Sequence, residues 1–406
     1  MLTGTDASGH GIVANGWLDR ESAEVRFWKQ SNRLVRGEKI WHVLQKEIPG
    51  FTCANLFWWY NMATDADLAV TPRPLYLADG RKSFDIHTQP MALRESLKQE
   101  LGPFPFPSFW GPAAGIACSD WIARCARWIY QNHQPSLNLV YLPHLDYGLQ
   151  KYGPDAPEME QELSQIDEVA GKLIDFYEQQ GVRVLIVSEY GISSVRQPVH
   201  LNRVLRDAGL LSIKDELGRD GLDLFQSEAV AVADHQVAHV YLKDRKKLDV
   251  VRALLEKVPG VERVQHAEEI WQSGIALERA GDLVVTANAD AWFTYYFWED
   301  DARAPDYARC VDIHRKPGYD PVELFLDPKI PFPRLKIAAF LLKKAIGLRG
   351  LMEVIPLDAS LVKGSHGRCD VAPGEQAIVI GSKQSIHRAE DLFREMKQHF
   401  LPPTAG

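Results

Sequence analysis

The chain has 406 residues, of which 46% are hydrophobic and 25% are charged, so it is long and apolar enough for a large buried core. Its formal net charge of −8 argues against nucleic acid polymers and anionic membranes as main partners, because both require a basic face. The five cysteines show no CxxC spacing, and no apolar run reaches the ~18 residues of a membrane span. With no signal-peptide pattern, these features predict a cytoplasmic protein with reduced thiols.

Strand and helix patterns alternate along much of the chain. SLNLVYL (136–142) predicts a short strand, and residues 157–181 carry apolar side chains at helical spacing. VRVLIVSEYG (182–191) is almost continuously apolar, which predicts a strand buried on both faces, and a helix is predicted over 246–260. Further strands are predicted at 229–234, 239–243, 282–288 and 376–381. This alternation predicts an α/β fold with a mostly parallel central sheet flanked by helices.

Two segments interrupt this alternation. Residues 51–112 are rich in aromatic residues and proline, and residues 296–362 mix proline, glycine and charge. We interpret both as irregular insertions that cap a sheet edge or cover a site within a single domain of residues 1–406. Long loops on a rigid sheet often carry specificity, so substrate selection is expected there.

Polar residues follow the ends of several predicted strands, where α/β sheets bind ligands. Asp146 comes just after LNLVYL, and Gln150 lies four residues on, so both share a face if a helix begins there. Glu189 and Tyr190 follow VRVLIV, and His366 lies in a glycine-flanked turn. Each residue alone is a weak signal, because carboxylates often cap helices and turn histidines often face solvent. Their joint placement at strand ends favours a functional site.

Four quoted segments carry a family resemblance: SGHGIVANGW (8–17), LPHLDYGLQKYGP (142–154), VSEYGI (187–192) and KGSHGR (363–368). In this order they resemble the HGI-x-x-N segment, the D-x-x-G-H-x-x-G-P region, the SDHGM motif and the late HG turn of the alkaline phosphatase superfamily. Within it, the type I phosphodiesterase and nucleotide pyrophosphatase group, which includes phosphonoacetate hydrolase, is most similar. The resemblance implies an alkaline-phosphatase-like three-layer sandwich.

The resemblance also implies a chemistry. Members carry two divalent metal ions, usually zinc, that clamp the attacking and leaving oxygens around phosphorus. A Thr or Ser nucleophile forms a covalent phospho-enzyme intermediate. The implied activity is metal-dependent hydrolysis of phosphodiester, pyrophosphate or phosphonate bonds in a small phosphorylated substrate, which a nucleotide-like molecule would fit.

Three site residues match the family's motifs directly. Asp146 matches the first metal-binding Asp, and His366 matches the late metal-binding His, with His314 in VDIHRKPGYD as a second choice. Asn15 matches the asparagine that donates to a non-bridging phosphate oxygen. The resemblance therefore implies one metal site that retains a carboxylate and an imidazole.

Three further metal positions depart from the family's pattern. Gln150 stands where the family has His, and Glu189 and Tyr190 stand where it has Asp and His. Glutamine is a weak zinc ligand, and a tyrosine binds metal well only as phenolate, with an ordinary pKa near 10. Mg²⁺ or Mn²⁺, which prefer oxygen ligands, become alternatives to zinc, and a site without metal is a further alternative.

The N-terminus supports a separate expectation. The family's nucleophile lies shortly before an L-x-T-G turn, and here LTG occupies positions 2–4. Thr3 and Thr5 follow the expected nucleophile position and are interpreted as turn residues. We therefore expect an N-terminally shortened chain that lacks the first strand, the early metal ligand and the nucleophile, and that alone hydrolyses weakly or not at all.

Two alternatives to hydrolysis remain open at this point. The replaced ligands are also expected of a catalytically impaired binding protein on the same scaffold, and the superfamily includes phosphotransferases of the mutase type. His235 and His239 have the i,i+4 spacing of a helical metal pair, but they fall in a strand-like segment. There they would be ~13 Å apart, too far for one metal, so we interpret both as structural.

Overall fold

The computed structural model describes residues 1–78 and 81–401, and the elements below belong to that part of the chain. The helices are α1 (Ala7–His10), α2 (Ile40–Glu47), α3 (Leu93–Leu101), α4 (Ile116–His133), α5 (His144–Tyr152), α6 (Glu158–Gln179), α7 (Leu201–Asp207), α8 (Leu248–Leu255), α9 (Ala267–Ile270), α10 (Ile275–Arg279), α11 (Pro333–Ala345) and α12 (Asp391–Phe400). The strands are β1 (Gly16–Asp19), β2 (Glu24–Phe27), β3 (Cys53–Leu56), β4 (Leu68–Pro72), β5 (Leu75–Tyr76), β6 (Lys82–Ser83), β7 (Ile86–Gln89), β8 (Leu137–Val140), β9 (Ile186–Val187), β10 (Ser193–Ser194), β11 (Gln197–Val199), β12 (Ser212–Glu216), β13 (Arg219–Asp223), β14 (Ala229–Asp234), β15 (Val237–Leu242), β16 (Val261–His266), β17 (Leu283–Ala287), β18 (Ala291–Phe293), β19 (Gly364–Ser365) and β20 (Val379–Ile380).

A four-stranded sheet with the order β7-β4-β3-β8 lies between two layers of helices. β3 runs parallel to both β4 and β8, and β7 pairs antiparallel with β4. Successive residues of β3 point to opposite faces, as in any strand. Cys53 packs with Trp41 of α2 and the apolar side of α12, whereas Ala54 packs with Trp121 of α4 and the apolar side of α6. This arrangement confirms the predicted α/β fold with helices on both faces of a sheet.

A second four-stranded sheet has the order β14-β15-β17-β16, and all its pairs are antiparallel. The strands predicted at 229–234, 239–243 and 282–288 are therefore present, but they pair antiparallel. β14 is buried along its whole length, because α7 covers it on one side and the aromatic segment 291–298 packs into the same core. Burial on both sides removed the alternating polar pattern that otherwise identifies antiparallel strands.

Other predicted elements differ in extent. The helix predicted over 157–181 is α6, and the helix predicted over 246–260 is the shorter α8. The run at 182–191 contains only the two-residue β9, which pairs antiparallel with β20 and leaves Ile186 exposed, so the prediction of a strand buried on both faces was wrong. Residues 51–112 contribute β3, β4 and β7 to the first sheet, and a capping role for the rest of that segment stays a prediction.

Within residues 1–78 and 81–401, none of the helices combines the length and the apolar character that crossing a bilayer requires.

Candidate active site

Asp146 lies in the first turn of α5, directly after β8, and it is held from two sides. Its Oδ2 accepts a hydrogen bond from Gln150 Nε2 at 2.8 Å, and its Oδ1 accepts one from the Tyr190 hydroxyl at 3.1 Å. The amide oxygen of Gln150 in turn accepts from the Tyr319 hydroxyl at 2.8 Å. The predicted shared face of Asp146 and Gln150 is thus present, and Tyr190 joins it from a segment far along the chain.

The carboxyl groups of Asp146 and Glu189 both have raised pKa values. Burial is the main reason that the pKa of Asp146 is raised, although the positive charge of His235 and the hydrogen bonds from Tyr190 and Gln150 act in the opposite direction. Glu189 keeps an exposed surface, yet the groups around it displace hydration water and raise its pKa. The like charge of Asp146 is the second cause of that rise. Both groups therefore stay protonated to a higher pH than free carboxyl groups.

His366 follows β19, which pairs with β10 just beyond Glu189 and Tyr190. This pairing places the His366 ring flat against the Tyr190 ring, with 3.5 Å between centroids and an interplanar angle of 8°. The backbone oxygen of His366 accepts from Gln236 N at 2.8 Å, and its buried Nε2 has no hydrogen-bond partner. Gly367 has a φ of 119° and approaches Gln236 N, so a side chain at this position would be strained. Desolvation, followed by the charge of His235, lowers the pKa of His366 well below its ordinary value.

Asp234 ends β14 and is the most strongly hydrogen-bonded carboxylate of the site. It accepts the backbone N–H of Asn15 at 2.8 Å and the Asn15 side-chain amide at 3.2 Å. His235 Nδ1 lies 2.7 Å from Asp234 Oδ1. Burial raises the pKa of Asp234, but the hydrogen bonds from His235 and Asn15 outweigh it, so the net shift is downward. Asp234 is therefore the ionised partner that holds His235.

Four rings form a continuous stack across the site. His235 lies between His366, at 3.7 Å and 34°, and Tyr319, at 3.7 Å and 24°. Tyr190 extends the stack beyond His366. We call Asp146, Glu189, Tyr190, Asp234, His235 and His366 the site cluster.

The site cluster does not fit the two-metal centre that the resemblance implies. Nowhere in the described ranges do three His, Cys, Asp or Glu residues come together in a way that could hold a metal ion. Both oxygens of Asp146 accept hydrogen bonds, and the amide oxygen of Gln150 is taken by Tyr319. Burial raises the pKa of Tyr190 well above its ordinary value, so its phenol stays neutral and is a poor ligand. Of the expected ligand set, Asp146, Gln150, Tyr190 and His366 are thus joined by hydrogen bonds and a ring contact, and Glu189 is near enough for the charge of Asp146 to raise its pKa.

The structure brings together residues that sequence reasoning singled out and residues that it missed. Asn15 lies next to the cluster through Asp234, and one of its two side-chain N–H groups is used there. His314 makes an edge contact with Tyr76 instead, so His366 is the late histidine of this site. His235 was interpreted as structural, but it lies in the cluster. The signal was present, because Asp234 ends a predicted strand and His235 follows it, much as Asp146 comes after another predicted strand.

His239, by contrast, serves the fold, as expected from sequence. Its Nδ1 accepts the backbone N–H of Gly281 at 3.2 Å, and its Nε2 donates to Val13 O at 3.3 Å. His239 lies on β15, whereas His235 lies in the turn before that strand. The two histidines therefore have different surroundings, although they are only four residues apart in sequence.

Solved structures resemble this chain in fold. Phosphonoacetate hydrolase from Sinorhizobium meliloti 1021, in complex with phosphonoformate, matches with a TM-score of 0.50 at 14% identity over 75% of this chain and 70% of that chain. Murine ectonucleotide pyrophosphatase/phosphodiesterase 5 matches with a TM-score of 0.47 at 19% identity over 74% and 68% of the two chains, and a further structure of that protein is a complex with AMP. None of the curated proteins matches the sequence. The first of these structures supports the fold.

The sequence model of one family covers most of the chain. The type I phosphodiesterase/nucleotide pyrophosphatase model matches residues 1–320, which include every member of the site cluster except His366. Members of this family hydrolyse phosphodiester and pyrophosphate bonds and are generally metal-dependent. The chain belongs to the type I phosphodiesterase/nucleotide pyrophosphatase family.

Proposed function

We propose that this chain hydrolyses a phosphodiester, pyrophosphate or phosphonate bond in a small phosphorylated substrate, and that the site cluster is the place of reaction. The observation that carries this proposal is the convergence of three family motifs. Asp146, Tyr190 and His366 come from separate segments and meet through one hydrogen bond and one ring contact. Membership of a hydrolase family supports assigning hydrolysis to the place where these motifs meet.

His235 is the group that we assign as general base. With its Nδ1 proton donated to Asp234, the imidazole keeps Nε2 as a proton acceptor. We propose that Nε2 removes a proton from a water molecule as that water attacks phosphorus. The bond from phosphorus to the leaving group then breaks, and its electron pair stays with the leaving group.

A carboxyl group completes the proton balance. The raised pKa values of Asp146 and Glu189 mean that each holds its proton to a higher pH than a free carboxyl group, and we assign one of them as the acid that gives a proton to the leaving group. Because the charge of Asp146 raises the pKa of Glu189, an ionised Asp146 makes Glu189 a weaker acid. In the described residues, Ser and Thr hydroxyls are absent from the hydrogen bonds of the cluster, which supports water as the nucleophile.

The charge of the site favours a substrate with few negative charges. Asp234 is the carboxyl group of the cluster with a lowered pKa, and the like charges of Asp146 and Asp234 raise the pKa of Glu189. The ionised Asp234, together with whichever of Asp146 and Glu189 does not hold the catalytic proton, repels a phosphate dianion. A phosphodiester carries one negative charge and a phosphomonoester carries up to two, so we propose a diester-like group as the preferred substrate. The structural relatives include a complex with AMP and a complex with phosphonoformate, which are both small molecules with a phosphate or phosphonate group, and a nucleotide-like substrate is part of this proposal.

Product analysis by ³¹P NMR tests the proposal. The chain is incubated with bis-p-nitrophenyl phosphate, p-nitrophenyl phosphate, ATP or phosphonoacetate, each with and without added Zn²⁺, Mn²⁺ or Mg²⁺. We expect the monoester product from the diester to appear fastest. Faster turnover of p-nitrophenyl phosphate than of the diester would contradict the charge argument. The weak activity expected from the sequence stays a prediction that the same spectra measure.

A binding protein on the same scaffold is the second candidate. It is favoured by the ring stack, in which the expected ligands Tyr190 and His366 contact each other and His366 contacts His235, and by Gln150 in place of a histidine. Calorimetric titration with AMP separates the two candidates. Tight binding of AMP, with no new ³¹P signal from any of the four substrates, would support the binding protein.

A further inference from the structure

We propose that residues 329–352, here called the basic segment, dock this protein on the surface of an anionic membrane. The segment contains six basic residues and no acidic one: Lys329, Arg334, Lys336, Lys343, Lys344 and Arg349. The formal charge of −8 for the whole chain argued against an anionic membrane as partner, but this segment supplies the local basic face that such a surface requires, and the rest of the molecule is strongly acidic. An anionic surface would therefore attract this segment and repel the remainder, which would orient the protein.

The basic segment also exposes large apolar side chains. Phe332, Leu335, Leu342 and Ile346 are each 67–69% exposed, and Leu341, Leu348 and Leu351 are exposed as well. Scattered exposed leucines are ordinary on a soluble protein, but a contiguous group of them marks an interaction surface. Here the group coincides with the stretch that has no acidic residue.

The helix α11 within this segment has two different apolar sides. Ile337 and Phe340 are half-buried, and Ile337 packs against the core of the second sheet. Leu335, Leu342 and Ile346 recur at intervals of seven and four residues, so they share a face that points away from this attachment. Lys336 and Lys343 flank that face. An outward apolar face bordered by lysines is the pattern of a helix that lies in a membrane interface.

The basic side chains are available for such a surface. Among the residues that the structure describes, none of the six forms an ion pair with a carboxylate, and Lys336 donates instead to the backbone oxygen of Glu353. A symmetric dimer through this face would bring the six positive charges of each copy together, which is unfavourable. Phospholipid headgroups offer negative charge beside a hydrocarbon layer, so they match both features of the segment.

Vesicle co-sedimentation tests this proposal, with the full chain and vesicles of phosphatidylcholine alone or mixed with phosphatidylserine. We expect binding to the mixed vesicles, weak binding to phosphatidylcholine, and loss of binding as salt is raised. Lys343→Gln with Lys344→Gln should weaken binding roughly 25-fold, because each basic residue near the surface contributes about fivefold. Leu342→Ser with Ile346→Ser should abolish it.

The matched control is Phe225→Ser, which removes a side chain of 70% exposure in the turn after β13. This variant should bind the mixed vesicles like the wild type. Leu342→Trp adds a direct readout, since its fluorescence should shift to the blue on mixed vesicles. Absence of binding, equal binding to both vesicle types, or a lipid-free dimer that Leu342→Ser with Ile346→Ser dissociates would each overturn the proposal.

Discussion

His235 and Asp234 are neighbours in sequence that form a side-chain pair, with His235 Nδ1 2.7 Å from Asp234 Oδ1. His235 has a φ of 59°, in the left-handed region that residues other than glycine rarely adopt. This backbone conformation belongs to the turn between β14 and β15, and it lets the imidazole lie between the rings of His366 and Tyr319. Backbone strain of this kind often accompanies a functional residue.

Asp234→Asn should lower kcat by about 100-fold or more and leave KM nearly unchanged, because general base catalysis contributes about 10²–10⁴-fold. The amide no longer favours the tautomer with the proton on Nδ1, so Nε2 ceases to be the acceptor. Steady-state kinetics on bis-p-nitrophenyl phosphate measures both constants. Asp234→Glu should restore part of kcat, whereas Asp290→Asn, which changes a carboxylate paired with Arg196, should have no effect. Equal losses of kcat in Asp234→Asn and Asp290→Asn would contradict the proposal that Asp234 positions His235.

The wild-type chain should not retain stoichiometric zinc after dialysis, because the oxygens of Asp146 and Gln150 accept hydrogen bonds and the Tyr190 phenol stays neutral. Gln150→His combined with Tyr190→His restores two imidazoles at the positions where the family has them. We expect this double variant to bind zinc, as measured by elemental analysis of the dialysed protein. Tyr190→Phe is the control and should stay free of zinc. One or more zinc ions per wild-type chain would show that the cluster rearranges around metal.

Stability should rise between pH 4 and pH 6.5, and His239 contributes to this rise together with His200, whose pKa burial also lowers to about 4. Burial is the main cause that lowers the pKa of His239 from 6.5 to about 4, so the unfolded chain binds this proton first. The contribution of His239 to the free energy of unfolding is complete above pH 6.5, decreases as the pH falls, and is lost near pH 4. Its size is on the order of 3 kcal/mol.

Urea unfolding between pH 4 and pH 7 measures this dependence. His239→Gln should make the free energy of unfolding depend less steeply on pH, since glutamine can accept from Gly281 N–H and donate to Val13 O without titrating. His133→Gln changes an exposed histidine at the end of α4 and should keep the wild-type slope. The assignment to His239 fails if both variants show the same pH dependence.

Lys316 should be essential for stability. Its Nζ lies 2.7 Å from Asp320 Oδ2 and 2.7 Å from Glu323 Oε1, and all three side chains are buried. Lys316→Met leaves two buried carboxylates without their cation, which should lower the free energy of unfolding by about 3–5 kcal/mol. Lys172→Met removes an exposed pair with Glu168, which water and salt screen, and should have a much smaller effect on stability. Chemical denaturation of the two variants gives the comparison, and similar values for both would contradict it.

Local features of the site could be predicted from the sequence. The shared face of Asp146 and Gln150 follows from helical geometry, which spacing encodes directly. The family motifs implied that Asp146, Tyr190 and His366 belong to one site, and the pairing of β10 with β19 brings His366 against Tyr190, a contact that the motifs did not specify. The alternation of strand and helix patterns indicated an α/β fold, and the hydrophobic content indicated a large core.

Relationships between distant segments could not be predicted in the same way. The hydrogen bonds between Asn15 and Asp234 join residues that are 219 positions apart, and no periodic pattern records them. The run at 182–191 is apolar enough for a central strand, but strand length depends on the available partner, and β9 pairs only with β20. Composition indicates that a segment avoids water; it does not specify the neighbour that covers it.

The most direct test of the account is the initial rate of bis-p-nitrophenyl phosphate hydrolysis by the wild-type chain and by Asp146→Ala, purified side by side and assayed with the same metal additions. Asp146 is half-buried at the centre of the cluster, where it contacts Gln150 and Tyr190. The account predicts a slow wild-type rate that exceeds the Asp146→Ala rate at least about tenfold. Indistinguishable rates for two folded proteins under every condition would contradict hydrolysis at this site.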